Sequence, residues 1–253
     1  MRKTLRQSRE WIKFNIFRPI LLKAGNVLAK YANVPDKPVF SRSDFDWTQQ
    51  LEENWTVILN EFEHLSKLVQ NLPAIQDIQQ EQKVLNQDQN WKTFFLFGFG
   101  EKARLNCALC PETTALLESI PGMKTAFFSV IAPGKHIPAH KGLFKGIIRS
   151  HLGLVIPGAP GSCRMRIAEQ MYSWKPGEVI VFDDTYEHEV WNDSDQPRVV
   201  LLLDIVRPFR PPFSWFNRWI IALITGSSYV REAKTRHQQW ETEFHRNLNL
   251  AGK

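Results

Sequence analysis

Three things are scarce in this chain: acidic residues at its two ends, cysteine, and long apolar runs. Residues 1–30 hold eight Lys/Arg against Glu10 alone, and residues 207–253 hold eight against Glu232, Glu241 and Glu243. The stretch between them is mildly acidic, so the net charge of +6 over 253 residues hides a positive charge concentrated at both ends. Cysteine occurs only as Cys107, Cys110 and Cys163, an odd number, and no signal-peptide pattern opens the sequence. A disulfide framework is therefore not expected, and a reducing compartment is. The Cys-x-x-Cys of "CALC" has no second pair to complete a zinc site and no strand-helix context for a redox motif, so packed thiols are expected. The clean apolar run Trp219–Thr225 falls far short of the ~20 residues that span a bilayer. Internal repeats and low-complexity tracts are also absent, which excludes a solenoid or a disordered chain.

The basic ends suit an anionic surface, and their patterning favours a membrane over nucleic acid. In "RPILLKAGNVLAKYA", Pro19 fits a first helical turn, with Ile20, Ala24, Val27, Leu28 and Tyr31 on one face and Lys23, Asn26 and Lys30 on the other. Trp11, Phe14 and Phe17 stand just ahead. Such a helix either lies on a membrane or packs on the body of the protein. Near the C-terminus "FSWFNRWIIALITG" reads as an interfacial or packed amphipathic helix, interrupted by Asn217 and Arg218. Basic residues interleaved with an apolar face, rather than with a stacking platform, argue against nucleic acid.

Four regions are expected: a basic amphipathic segment over 1–40, a helical region over 41–90, a β domain over 91–210 and a basic helical tail over 211–253. Trp47, Leu51, Trp55, Ile58, Phe62 and Leu65 predict one long helix between Asp44 and Leu72, with Ser43 and Asp44 as capping candidates and Pro73 as its stop. The glutamine-rich stretch that follows reads as a loop with one helical turn. From Trp91 the apolar runs become short, β-branched or aromatic, and punctuated by Gly and Pro, as in "TAFFSVIAPG", "IIRSHLGLVIP", "GEVIVFDD" and "RVVLLLDIVRP". Seven or eight such strands predict a mainly β sandwich or jelly roll with helices outside it, and only "PETTALLESI" reads as helix in this half.

His140 and His188 stand near strand ends, a borderline pair suited to Fe(II), Zn or Ni. Arg149 and His151 are two apart and share a strand face, while Arg198 opens another strand amid apolar residues. An Arg facing a β-domain interior needs an anion, and converging cations beside a two-histidine site suit a dicarboxylate. The alternative is that Arg149 or Arg198 merely pairs with Asp183, Asp184 or Asp204. His136, in "HIPAH", is expected to support the site or lie exposed. Tyr186 and Trp191 are expected to pack around His188. Asp183 or Asp184 could orient an imidazole or stand in for the carboxylate missing at Gly142, where the chain reads His140-Lys141-Gly142.

"HKGLFKGIIRSHLGLVIP", "WKPGEVIVFDDTYEHEVWN" and "RVVLLLDIVRP" resemble the aspartyl/asparaginyl β-hydroxylase family of Fe(II)/2-oxoglutarate dioxygenases, which includes bacterial lipid A acyl-chain hydroxylases. The resemblance covers about Trp91 to Pro208. It implies a double-stranded β-helix, a cupin-like jelly roll, with Fe(II) as cofactor and 2-oxoglutarate and O2 as co-substrates. It also implies His140 and His188 as iron ligands, Ser129 and Arg198 on the distal carboxylate of 2-oxoglutarate, and Arg149 and His151 on its metal-proximal carboxylate. Gly142 resembles the protein-hydroxylating branch, where water replaces the carboxylate ligand. The basic N-terminus, "NVPDKPVF" and "WKTFFLFGFG" resemble the lipid-modifying branch. The expected activity is hydroxylation of an aspartyl or asparaginyl side chain, with a membrane-lipid acyl chain as the alternative. A halogenase and a non-catalytic membrane-associated binding module are weaker alternatives. The expected location is cytoplasmic, with peripheral contact to the inner face of the membrane through residues 1–32 and 211–230.

Overall fold

Two antiparallel sheets packed face to face form the body of the protein, a jelly roll. The computed structural model describes residues 18–68, 72–78 and 88–251. Strands β1 (Trp91–Gly98), β2 (Glu101–Lys102), β3 (Met123–Ile131), β5 (Ile147–Val155), β8 (Val179–Phe182) and β10 (Arg198–Val206) form the larger sheet in the order β2-β1-β3-β10-β5-β8. Strands β4 (His136–His140), β6 (Cys163–Ile167), β7 (Gln170–Ser173) and β9 (His188–Asn192) form the smaller one in the order β4-β9-β6-β7. The ten strands exceed the expected seven or eight because "HIPAH", expected as a loop, pairs with β9, and because the short β2 and β7 carry no apolar run to mark them.

The larger sheet is apolar on both faces. Val199, Leu201 and Leu203 of β10 pack outward under helices, while Val200 and Leu202 pack inward against Met165, Ile167 and Val190 of the smaller sheet. That period of two decides which polar side chains enter the space between the sheets: Arg198 and Asp204 alternate with the outward residues. The same alternation puts Ser129 of β3 and Arg149 and His151 of β5 on the inner face.

The outer helices are α2 (Trp47–Glu53), α3 (Trp55–Leu68), α4 (Ile75–Ile78), α5 (Arg104–Leu109), α6 (Pro111–Ser119) and α8 (Ser228–Ala251). The predicted single helix from Asp44 to Leu72 is broken at Asn54, whose backbone leaves the helical region while its side chain donates to Gln50 O at 2.9 Å. Its start also differs: Ser41 and Asp44 form a capping box around the short 3-10 turn Arg42–Asp44, and Asp46 precedes α2. Ile58, Phe62 and Leu65 still fall on the buried face. α5 was not legible as a helix, since "RLNCAL" is too short to show a period. Its first amides donate to Glu241 of α8 (Leu105 N 2.9 Å, Asn106 N 3.0 Å), so a distant side chain caps it. Cys107, Cys110 and Cys163 are all free and buried, and burial pushes the Cys110 thiol up to about 12.

Helix α1 (Arg18–Ala29) and helix α7 (Phe213–Thr225) pack together with Phe144 and Phe209 in a third apolar cluster. The expected apolar face of α1 splits. Leu21, Gly25 and Leu28 are buried against the body, while Ile20, Val27 and Tyr31 are exposed beside Lys23 and Lys30. Trp11, Phe14 and Phe17 lie outside the described residues. Among the described residues no helix is long and apolar enough to cross a membrane.

Candidate active site

His140 closes β4 and His188 opens β9, and antiparallel register sets the two opposite each other. Their ring centroids are 4.1 Å apart. Each Nδ1 lies on a nearby carbonyl, that of His140 on Pro138 O at 2.8 Å and that of His188 on Tyr186 O at 3.0 Å. A carbonyl accepts only, so both rings carry the Nδ1 proton and both Nε2 lone pairs are left free, as a metal requires. Burial lowers both pKa values, that of His188 to about 3, with the neighbouring imidazole adding to the effect, so the rings are neutral. Among the described residues no third His, Cys, Asp or Glu completes a metal-binding group with them.

Gly142 explains part of that. A Cβ there would collide with the carboxylate of Asp184, whose main-chain oxygen accepts from Gly142 N at 2.6 Å. Asp184 thus fills the volume that a residue-142 side chain would need. Burial raises its pKa to about 6, against the lowering effect of Arg149, whose Nη1 is 3.4 Å away. Asp183 does something different. Fully buried, it pairs with Arg207 and accepts from Thr185 N (3.0 Å) and Thr185 Oγ1 (2.6 Å), with Lys145 Nζ at 3.5 Å. It braces the loop before His188 and orients no imidazole. Neither Arg207 nor Lys145 is marked by the sequence, because the contact joins segments far apart in the chain.

The two arginines also part. Arg149 gives its fork to Asp204, its register partner (Nε 2.8 Å, Nη2 3.0 Å), leaving Nη1 for Asp184. Arg198 has no such partner: it is 1% exposed, and its Nε and Nη1 are buried without a hydrogen bond. Burial alone lowers its pKa to about 9. Both ring nitrogens of His151 are likewise buried and unpartnered. Trp174, not singled out from the sequence, lies under the Arg198 guanidinium at 4.5 Å and stacks on His151 at 5.8 Å. Ser129 receives the Trp91 Nε1 proton at 3.0 Å, which leaves its own hydroxyl proton free to donate. Buried donors left unmade are costly, and this cluster of them has the chemistry of an anion site.

The rings of two expected neighbours, Trp191 and Tyr186, have other partners, and His136 lies exposed, one of the two places expected for it. Trp191 stacks on its cross-strand neighbour His136 (5.2 Å) with Arg164 over it from the other side (5.1 Å), and His136 pairs with Glu189 at 2.6 Å. Tyr186 faces Lys145 at 4.4 Å. Besides the His140 ring, the ring beside His188 is that of Phe182, at 5.5 Å.

The family model for aspartyl/asparaginyl β-hydroxylases matches residues 52–208 of this sequence. The chain belongs to that family. Its match begins well before Trp91, so α3 is part of the family's domain. An ornithine lipid ester-linked acyl 2-hydroxylase of Rhizobium tropici is 38% identical over 229 residues, covering 90% of this chain and 82% of that protein. Human aspartyl/asparaginyl β-hydroxylase is 32% identical over 169 residues, covering 65% of this chain and 21% of that protein. This hydroxylase chain therefore spans about a fifth of its human relative's length. Among solved structures, the cupin domain of an Enterobacter cloacae XRE-family regulator (19% identity, TM-score 0.33, 46% of this chain and 97% of that one) is similar. So is the Cnp3 cupin domain of Schizosaccharomyces pombe (14%, TM-score 0.34, 53% and 72%).

Proposed function

We propose that this family member is an iron- and 2-oxoglutarate-dependent hydroxylase acting on the acyl chain of a membrane lipid. The observation that carries the co-substrate is the buried, unpaired Arg198 beside the unpartnered His151: a carboxylate supplies what both lack. Arg198 and Ser129 would hold the distal carboxylate of 2-oxoglutarate, and His151 would donate to the proximal one, joined by Arg149, whose Nη1 also faces Asp184. Nε2 of His140 and of His188 would hold Fe(II), a fit to the neutral two-nitrogen donor set. When bound, the iron and 2-oxoglutarate supply the oxidising chemistry: one oxygen atom of O2 enters the substrate C–H bond and the other leaves in succinate, with carbon dioxide.

The chain's own residues do the rest. Carbonyls 138 and 186 fix the imidazoles, Trp174 and Phe182 exclude water, and Asp184 keeps a carboxylate where the ligand set has none, suited to hold a water in the third position. A buried carboxylate there would repel chloride, which argues against halogenation.

The lipid half of the proposal rests on the Rhizobium relative, whose similarity covers 90% of this chain, whereas that of the human relative covers 65%. The second reading, hydroxylation of an aspartyl or asparaginyl side chain, is favoured by the absence of a carboxylate at Gly142. Reconstitution with Fe(II) should give oxygen-dependent succinate. Mass spectrometry of lipid extracts from cells with and without the gene should show one added oxygen on acyl fragments. An added oxygen on peptides alone would replace the lipid reading by the protein one, and no succinate with either substrate class would end both.

A further inference from the structure

The exposed flanks of α1 and α7 have no place in the chemistry above. Ile20, Val27, Tyr31, Trp215, Phe216 and Trp219 are all exposed, Trp215 by 62% and Trp219 by 57%. Large aromatic side chains this open to water are unusual unless something covers them. The two flanks meet where Tyr31 stacks on Phe213, ring centroids 4.1 Å apart, and the chain after α1 runs antiparallel to the segment before α7, with Asn33 N donating to Pro208 O at 2.9 Å.

The charge around this face is one-sided. Lys23, Lys30, Arg210 and Arg218 are exposed on the same two segments, and none has a carboxylate partner among the described residues. Residues 11–35 and 205–231 contain no Asp or Glu at all. A second copy of this chain would bring like charges together, so the face is built against self-association. Tryptophan, tyrosine and phenylalanine mixed with unpaired cations suit the boundary between acyl chains and anionic headgroups.

The face is also clamped to the iron-site loop. A Cβ on Gly25 of α1 would lie 3.0 Å from Lys145 N and 3.4 Å from the Phe144 ring, so α1 packs directly on the segment that follows His140 and Gly142. Asn217 of α7 donates to Gly146 O at 3.1 Å from the other side. Between the histidine and these contacts, Leu143 projects 51% exposed.

We propose that α1 and α7 form an interfacial docking face for an anionic bilayer, lying on the membrane without crossing it and holding the mouth of the His140–His188 site at its surface. Its purpose, though not its existence, rests on the lipid-hydroxylase reading. The test is co-sedimentation of the full chain with phosphatidylcholine vesicles with and without phosphatidylglycerol, for the wild type, W215S/W219S and K23E/R218E. All four positions are exposed and outside the site, and circular dichroism and 2-oxoglutarate binding check that each variant is folded. Expected are binding to phosphatidylglycerol vesicles that weakens with salt, little binding to phosphatidylcholine alone, and at least tenfold weaker binding for either variant.

Wild-type protein that ignores anionic vesicles, or binds them equally well as both variants, overturns the proposal. So does a dimer in solution that W215S/W219S abolishes, or a stable protein partner held by the same residues. Activity in detergent micelles separates the two readings. Vesicle binding without acyl hydroxylation leaves the docking face standing and removes the lipid substrate. Acyl hydroxylation in micelles without vesicle binding does the reverse.

Discussion

Two clusters of buried charge lie within the same jelly roll, one closed and one open. In the closed one Arg207, Asp183, Thr185 and Lys145 answer one another, and Lys145 reaches on to Asp36 at 2.5 Å. In the open one Arg198 and His151 have donors aimed at nothing. Burial is equally deep in both, so burial does not distinguish a brace from a binding site. Charge pairing does: Arg207 has the Asp183 carboxylate as its partner, although its Nη1 makes no hydrogen bond, whereas Arg198 has no carboxylate and waits for an anion.

The largest expected effect comes from breaking the closed cluster. Asp183→Ala or Arg207→Met leaves a buried charge alone, and stability should fall by about 3–5 kcal/mol, read as the urea midpoint. The double variant should recover part of that loss. Arg198→Met is the counterpart in the open cluster. Without 2-oxoglutarate it should melt at or above the wild-type temperature, because it removes a charge that nothing pairs. At a co-substrate concentration of about 100 Kd the wild type should gain about 2.7 kcal/mol, and Arg198→Met should gain none.

Gly142→Ala tests the ground between the clusters. The added methyl meets the Asp184 carboxylate and should cost about 1–3 kcal/mol by overpacking, a cost relieved in Gly142→Ala/Asp184→Gly. The smallest effect is a pH dependence. Burial first, then the charges of Arg198 and Arg149, hold His151 well below its usual range. The folded state thus keeps His151 neutral while the unfolded chain takes up a proton below about pH 6.5. Its contribution is complete above that pH and is lost on acidification, by at most about 1.4 kcal/mol per pH unit. His151→Gln should show a shallower acid slope than the wild type in denaturation at pH 7 and pH 5.5.

How much of this was legible beforehand follows from range in the chain. Strand alternation alone set Arg149 with His151, and the spacing of apolar runs from Trp91 onward marked the jelly roll. Strand-end positions offered His140 and His188 as a borderline metal pair, the family resemblance added the role of iron ligands, and register explains how the two rings meet. What sequence could not show depends on approach between distant segments. Asp184 filling the space at Gly142, Arg207 claiming Asp183 and Trp174 lying beneath Arg198 have no local period. The same limit hid the division of α1 into a buried and an exposed apolar flank, while the break at Asn54 falls within an otherwise continuous helical pattern.

The open cluster is the centre of the account, and calorimetric titration of 2-oxoglutarate into the anaerobic Fe(II)-loaded protein tests it most directly. The wild type should bind saturably, and Arg198→Met should show no binding while keeping its fold and its iron. Equal binding by both proteins, or none by the wild type, would contradict it.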